Sequence, residues 1–501
     1  MSSGTVIFFV LIAGVTVLGF LAARWRRAAV ASLDEWALGG RNFGTVVSWF
    51  LLGGDLYTAY TFIALPALAY GAGALAFFAV PYTTLAYPLT FFFMARFWTI
   101  AKRRGYVTAA DFVHDRYGSR ALELVIALTG VLAILPYIAL QLIGMQTVLE
   151  DVGLSAAHIA PVAFLIAGFV LLAAYTFISG LRAPAMIAFV KDTLIYITVI
   201  AALAVIPSHL GGWAHIFASA QSVLASRPKA SSTMLLPGQY ASYATLALGS
   251  AMALFLYPHS VTGCLSARNA NVIRRNCALL PLYSLLLAFI TLLGFCALAA
   301  GIKLTNNNQA VPELFVHFFP SWFTGVAFAA IVMGALVPAA VMSIGAANLF
   351  ASNILQSFRA RRERPSSELG IARGLALCVL TASFIIAVAI KPLFAINFQL
   401  LGGAWIVQIF PAFVLGLYTR RLHPVALLAG WCVGMSAATW MAVWTGFSSV
   451  FQFSAAGHKI SAAIVFCALL ANLVTAAVVT LLLAAFKTGA GRDLTTAADY
   501  A

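Results

Sequence analysis

A chain of 501 residues, of which 63% are hydrophobic and 9% charged, is no water-soluble domain, because soluble domains run at about a quarter charged. Its formal net charge of +15 does not make it a nucleic-acid binder; the basic residues gather in short stretches between long apolar runs, as in a multi-pass membrane protein. The 6 cysteines have no paired spacing, and the absence of a convergent His, Cys or carboxylate cluster and of a phosphate-cradling glycine loop argues against an integral-membrane enzyme and an ATP-driven pump.

Thirteen apolar spans are predicted, numbered here 0 to 12. They lie near 5–23, 44–70, 74–99, 121–146, 158–178, 184–207, 240–262, 278–301, 321–356, 372–390, 394–418, 423–445 and 460–486. Each is long enough to cross a hydrocarbon core. Span 0 is followed by Arg24, Arg26 and Arg27 and by no small-residue cleavage site. It reads as an uncleaved helix with its N-terminus outside. Threading the spans from there gives the inner loops roughly 23 of the 29 Lys and Arg. Only Arg227, Lys229, Lys303, Lys391 and Lys459 fall outside, and Lys191 lies within a span. So strong a bias sets the orientation, with the C-terminal tail in the cytoplasm.

Three spans contain helix breakers. Span 1 carries Gly53-Gly54 and Pro66, span 6 carries Pro258 and Gly263, and span 8 carries Gly334, Pro338 and Gly345. Breaks survive at membrane depth only where protein or a cavity satisfies the freed backbone. Breaks at corresponding places in two halves of a chain point to a transporter's binding site. Spans 1 and 6 correspond if spans 1–5 and 6–10 are the two halves. Two carboxylates lie clearly inside spans: Asp55, directly after the glycine pair, and Asp192, directly after Lys191; Glu123 sits near a membrane edge. A buried carboxylate costs several kcal/mol unless paired, protonated or hydrated, so each is a functional-site hypothesis. Blander readings stand beside these. Asp55 could bond the backbone freed by the glycines. Lys191-Asp192 could be an interfacial pair with Lys191 snorkelling to the surface. His259 could be a satisfied core histidine, and Tyr57, Tyr60 and Trp405 plain packing.

The segment "DEWALGGRNFGTVVSWFLLGGDLYTAYTF" resembles the opening signature of the sodium:solute symporter family. "YTFISGLRAPAMIAFVKDTLIY" is similar to the family's loop before its fifth core helix, with Ser179-Gly180 where two glycines are usual. "LYPHSVTGCLSARNANVIRRN" matches the sixth core helix at Pro258 and His259, with Gly263 in place of a basic residue. Within the family, "GGDLYTAYTF", "YPHSVTG" and "IRRNCALLPLYSL" look most like the monocarboxylate permease branch.

The resemblance implies an all-α integral membrane protein with a LeuT-type 5+5 inverted repeat and about 13 transmembrane helices. Residues 1–43 would be an extra helix and loop, 44–209 and 240–418 the repeats, 423–486 two extra helices and 487–501 a short cytoplasmic tail. It implies a sodium ion between spans 1 and 8, faced by carbonyls of Gly53 and Leu56 with Asp55 beside it, and Asp192 lining the inner exit. The family's positions on span 8 fall on Gly334, Val337 and Pro338, two of which normally carry hydroxyls. Sodium is a hard cation that needs oxygen ligands, as other hard cations do. Val337 and Pro338 supply none, and Ser343 is the nearest hydroxyl downstream. A proton carried by Asp55 is therefore the alternative coupling ion. Substrate contacts are expected from Tyr57, Thr58, Tyr60, Tyr257, His259 and Gln408, and the positive ends of broken helices suit a carboxylate.

The expected function is secondary active symport of a short monocarboxylate such as pyruvate, lactate or acetate, with some amino acids, driven by Na+ or H+. No other cofactor, no nucleic acid and no obligate protein partner is expected. The expected setting is the cell (inner) membrane. Alternatives are a symporter of the same fold for proline or pantothenate, or a transporter-like membrane sensor. The short tail after residue 486 argues against the sensor.

Overall fold

The computed structural model describes residues 2–22, 33–151, 180–228, 231–355, 368–389, 395–455, 458–487, 489 and 492–500, with scattered positions between 163 and 177. Most of span 4, Ser179 and the basic stretches at 24–27 and 359–364 lie outside the described residues. Elsewhere each apolar run contains a helix, because only a helix satisfies its own backbone in lipid. Span 0 is Ser3–Ala22, span 2 Ala79–Arg104, span 3 Arg120–Asp151, span 5 Arg182–His209 and span 7 Pro281–Ala299. Spans 8, 9, 11 and 12 are Ser321–Leu349, Glu368–Ala389, Pro424–Trp444 and Ile464–Ala485.

Ten of the described helices are long and apolar enough to cross a membrane, or eleven with one bent pair, so the predicted count of thirteen is not reached. The difference has two sources: span 4 is largely undescribed, and span 1 is not one helix. Its first half, 1a, is Thr45–Gly54, only ten residues long. Residues 55–58 leave the helix, Tyr60–Ala64 form a π-turn, and Leu65–Ala72 complete the second half, 1b. Pro66 sits in the first turn of 1b, where its missing N–H costs no helical bond. Span 6 breaks in the same way. Tyr240–Leu254 (6a) and Pro258–Leu265 (6b) meet at 51°, with Pro258 opening 6b.

Span 8 is the spine of the molecule. It is buried almost throughout and packs on spans 0, 3, 5 and 9 and on 6b. Gly345 lets it approach the break in span 6, for a Cβ there would lie 2.7 Å from the His259 backbone nitrogen. One feature departs from the helical expectation. Val450–Ala455 and His458–Ala463 form an antiparallel hairpin before span 12, and Ser242 of 6a donates to its Ser461 carbonyl at 3.0 Å.

The C-terminal tail lies against Arg96, Arg103, Arg104, Arg116 and Arg420, which mark this side as the basic face. A short helix, Ala109–Tyr117, starts there on a reciprocal Thr108–Asp111 cap and stops at Gly118. The tail is fastened beside it. Arg116 donates to Asp493 at 2.7 Å, Arg104 to Asp499 at 2.5 Å, and Arg96 lies between the Tyr418 and Tyr500 rings at 4.9 and 5.0 Å. The Arg104 hydrogen bond holds the Asp499 carboxyl below its ordinary 3.8. A lowered carboxylate stabilises its contact above the ordinary value and releases it as pH falls. The tail should therefore stay fastened at neutral pH and loosen only below about pH 4. Arg104→Ala should free it at pH 7. The expected readout is faster proteolytic trimming of residues 492–500 with the spans intact; unchanged trimming would show that this contact does not hold the tail.

Candidate transport site between two broken helices

Asp55 caps the end of 1a, and its N–H bonds the Leu51 carbonyl at 3.2 Å. Its side chain does not turn back to the backbone. It crosses to 6b, where Asp55 Oδ2 lies 3.0 Å from His259 Nε2. The histidine is fully buried among the rings of Tyr137 and Tyr257, at 5.7 and 5.4 Å. The Asp55 side chain is 14% exposed, and its Oδ1 has no hydrogen-bond partner among the described residues. Both ring nitrogens of His259 are in the same condition. The two breaks thus face one another across a close carboxylate–imidazole contact.

The non-helical stretch of span 1 is satisfied by side chains. The Ala59 N–H donates to Gln141 of span 3 at 3.0 Å, and the Tyr60 N–H to Thr58 Oγ1 at 3.0 Å. Thr61 donates to the Leu56 carbonyl. Tyr60 packs against Tyr82, and Tyr257 donates to the Gln399 carbonyl at 3.1 Å. Tyr57 turns the other way, onto Tyr283 and Tyr196 at 4.4 and 5.9 Å. Gln408 lies apart from both groups. It donates to the Ala404 carbonyl at 2.9 Å and accepts from Asn472 of span 12 at 3.0 Å. The sequence alone did not point to Gln141, Tyr82 and Tyr137, though an amide within span 3 was a signal for the first.

A second buried cluster lies on the opposite side of the same break. Lys191 and Asp192 have no exposed side-chain surface, and Lys191 Nζ stands 3.0 Å from Asp192 Oδ1. The Lys191 ammonium also donates to the Gly54 carbonyl and, at 3.2 Å, to the Tyr57 carbonyl. Asp192 Oδ2 accepts from Tyr283 at 3.0 Å. Lys191 therefore does not snorkel to an interface; its stem reaches across to the frayed end of 1a, whose carbonyls need donors. The glycine pair makes room for this. A Cβ on Gly54 would lie 3.0 Å from Lys191 Nζ, and one on Gly53 would collide with the Tyr283 ring.

Two helices broken at mid-span and facing each other are the pattern of a secondary transporter. The chain belongs to the sodium:solute symporter family, whose profile matches residues 36–434. It is 50% identical over 482 residues to a monocarboxylate transport permease protein of Rhizobium johnstonii, covering 96% of each chain. It is 34% identical over 433 residues to the uncharacterised symporter YodF of Bacillus subtilis, covering 85% of each. A solved Na+-coupled sialic acid symporter, in a substrate-bound outward-open state, superposes with a TM-score of 0.77 at 15% identity, covering 98% of this chain and 99% of that one. The fold is thus the LeuT-type inverted repeat, and the protein is a multi-pass membrane symporter of a solute.

The family implies a sodium ion, and the residues at its expected place do not fit one. The Gly53 carbonyl accepts the Leu56 N–H at 2.9 Å, and the Leu56 carbonyl accepts the Thr61 hydroxyl. Gly334 meets the break at the Tyr57 carbonyl, 3.3 Å from where its Cβ would be, but has no oxygen to offer from a side chain. Val337 lines a cleft with Ile12, Val15 and Ile187. Ser343 is bonded to its own helix, at the Ala340 carbonyl, 2.8 Å away. A hard cation wants about six oxygens, and this arrangement does not present them.

Proposed function

We propose that the chain imports short monocarboxylates of the pyruvate, lactate and acetate type, together with a cation, and does no chemistry on its cargo. The observation that carries this reading is the near full-length similarity, at 50% identity, to a protein named as a monocarboxylate transport permease. The site's chemistry supports it. The N-terminal end of 6b carries the positive end of its dipole, and beside it the His259 ring nitrogens have no hydrogen-bond partner among the described residues. The test is uptake into vesicles of labelled pyruvate, lactate, acetate, proline and pantothenate, with Na+ and pH gradients imposed separately. Monocarboxylates should accumulate; accumulation of proline or pantothenate alone would overturn the substrate class.

The basic face is read as cytoplasmic, in the cell (inner) membrane, with the N-terminus outside, because inner loops hold the excess of Lys and Arg. A phosphatase or fluorescent reporter fused after Ala501 should report the cytoplasm. Activity confined to the outside would reverse the orientation.

A further inference from the structure

We infer that Lys191 is a tethered cation that replaces the family's sodium ion, so that this transporter's break in span 1 is held by an ammonium of the chain itself and transport does not require Na+. The inference concerns the same site as the proposed function but rests on its geometry and not on the identity of the cargo.

Three observations carry it. First, the Lys191 ammonium donates to the Gly54 and Tyr57 carbonyls and stands 3.0 Å from Asp192 Oδ1 as an ion pair, so three oxygens surround it. A group surrounded by three acceptors and no donor is placed as a cation. Second, the two backbone acceptors are those of the broken helix end, whose partial negative charge a cation offsets. They are the next residues in sequence after Gly53 and Leu56, whose carbonyls the family turns to sodium, so the ammonium sits beside the ion's expected place at the same break. Third, the helix that should complete a metal's shell does not. Gly334, Val337 and Pro338 bring no side-chain oxygen, and Ser343 is turned back on its own helix. The departures on span 8 and the lysine on span 5 are thus two sides of one change. Once an ammonium arrives on a stem, the hydroxyls that would have ligated a metal are not needed.

The remaining groups facing the ammonium fit this reading. Asp192 is shared between Lys191 and Tyr283, so its charge is directed to the lysine from one side and bonded on the other. Gly54 is the residue that permits the approach, since a Cβ there would lie 3.0 Å from Nζ and 3.1 Å from Asp192 Oδ2.

The experiment uses the purified full chain and vesicles containing it. A ligand that binds only the folded protein raises its melting temperature in a saturable way. Replacing choline chloride by NaCl at constant ionic strength should move the wild-type melting temperature by less than about 1 °C. Labelled pyruvate uptake at fixed membrane potential should persist in choline. Lys191→Ala should lower uptake about tenfold or more, and methylammonium should partly restore it and raise that variant's melting temperature while leaving wild type unmoved. A saturable rise of the wild-type melting temperature with Na+, or uptake that vanishes in choline at every pH, would overturn the inference. So would a folded Lys191→Ala variant indifferent to methylammonium. If that variant does not fold, the wild-type measurements decide alone. The melting arm needs no cargo, so a wrong substrate class, seen as no pyruvate uptake under any condition, is distinguishable from a wrong cation.

Discussion

Asp55→Asn is expected to cut concentrative uptake about a hundredfold while the protein still inserts and folds, by removing one partner of a largely buried pair. The amide has nearly the shape of the carboxylate, so the break in span 1 keeps its packing. What it loses is the attraction across the 3.0 Å contact to His259, which joins the end of 1a to the start of 6b. Breaking one side of a buried pair typically costs about 3–5 kcal/mol, because the other group is left without its counterpart. A transporter that alternates between two arrangements of its repeats feels that cost in whichever arrangement the pair exists, and the cycle slows. Uptake of labelled pyruvate against a gradient, normalised to protein in the membrane, is the measurement. His259→Gln should behave alike, and the double substitution should be little worse than either single one, the mark of residues acting as a unit. Normal accumulation by the Asn variant would reduce Asp55 to a structural role.

The two breaks were legible in the sequence because glycine and proline act locally. Gly53-Gly54 and Pro258 weaken or forbid a helix wherever the chain is folded, and Asp55 stood out because charge in lipid is costly. Their facing one another was an expectation drawn from corresponding positions in two halves. Lys191 was harder. Its place near one end of an apolar run is compatible with a side chain that leaves the membrane, and nothing local tells which way around the helix it points. Only the packing of span 5 against 1a shows that it turns inward to the freed carbonyls. Gln141 and Gln408 show the same gap from another side. Both are amides in apolar spans, yet one closes the break in span 1 and the other ties span 10 to span 12. The hairpin at 450–463 was hidden because its second strand runs without a polar boundary into the apolar start of span 12. Span 1 falls short of a membrane-length helix because hydropathy measures the length of an apolar run and not the continuity of the helix within it.

Gly53→Val is expected to lower uptake more than about tenfold and to lower the melting temperature, because adding bulk to a filled interior costs roughly 1–3 kcal/mol. Gly53 lies flat against the Tyr283 ring, and any Cβ there would collide with the ring's edge. The ring cannot swing away without consequence. Its hydroxyl donates to Asp192 at 3.0 Å, and it packs against Trp49 and Tyr57 at 4.7 and 4.4 Å. Displacing it loosens Asp192, which is one of the three acceptors around Lys191. Steric and electrostatic effects can be separated. Tyr283→Phe keeps the ring and removes only the donor to Asp192, so it should impair uptake with little change in melting temperature. Adding Tyr283→Ala to Gly53→Val makes space for the valine and should recover part of the lost thermal stability. Uptake should stay low in that double variant, since the donor to Asp192 is still missing. Full recovery of uptake would show that Gly53 matters only as a space beside the ring, and that the chain from Tyr283 through Asp192 to Lys191 plays no part in transport.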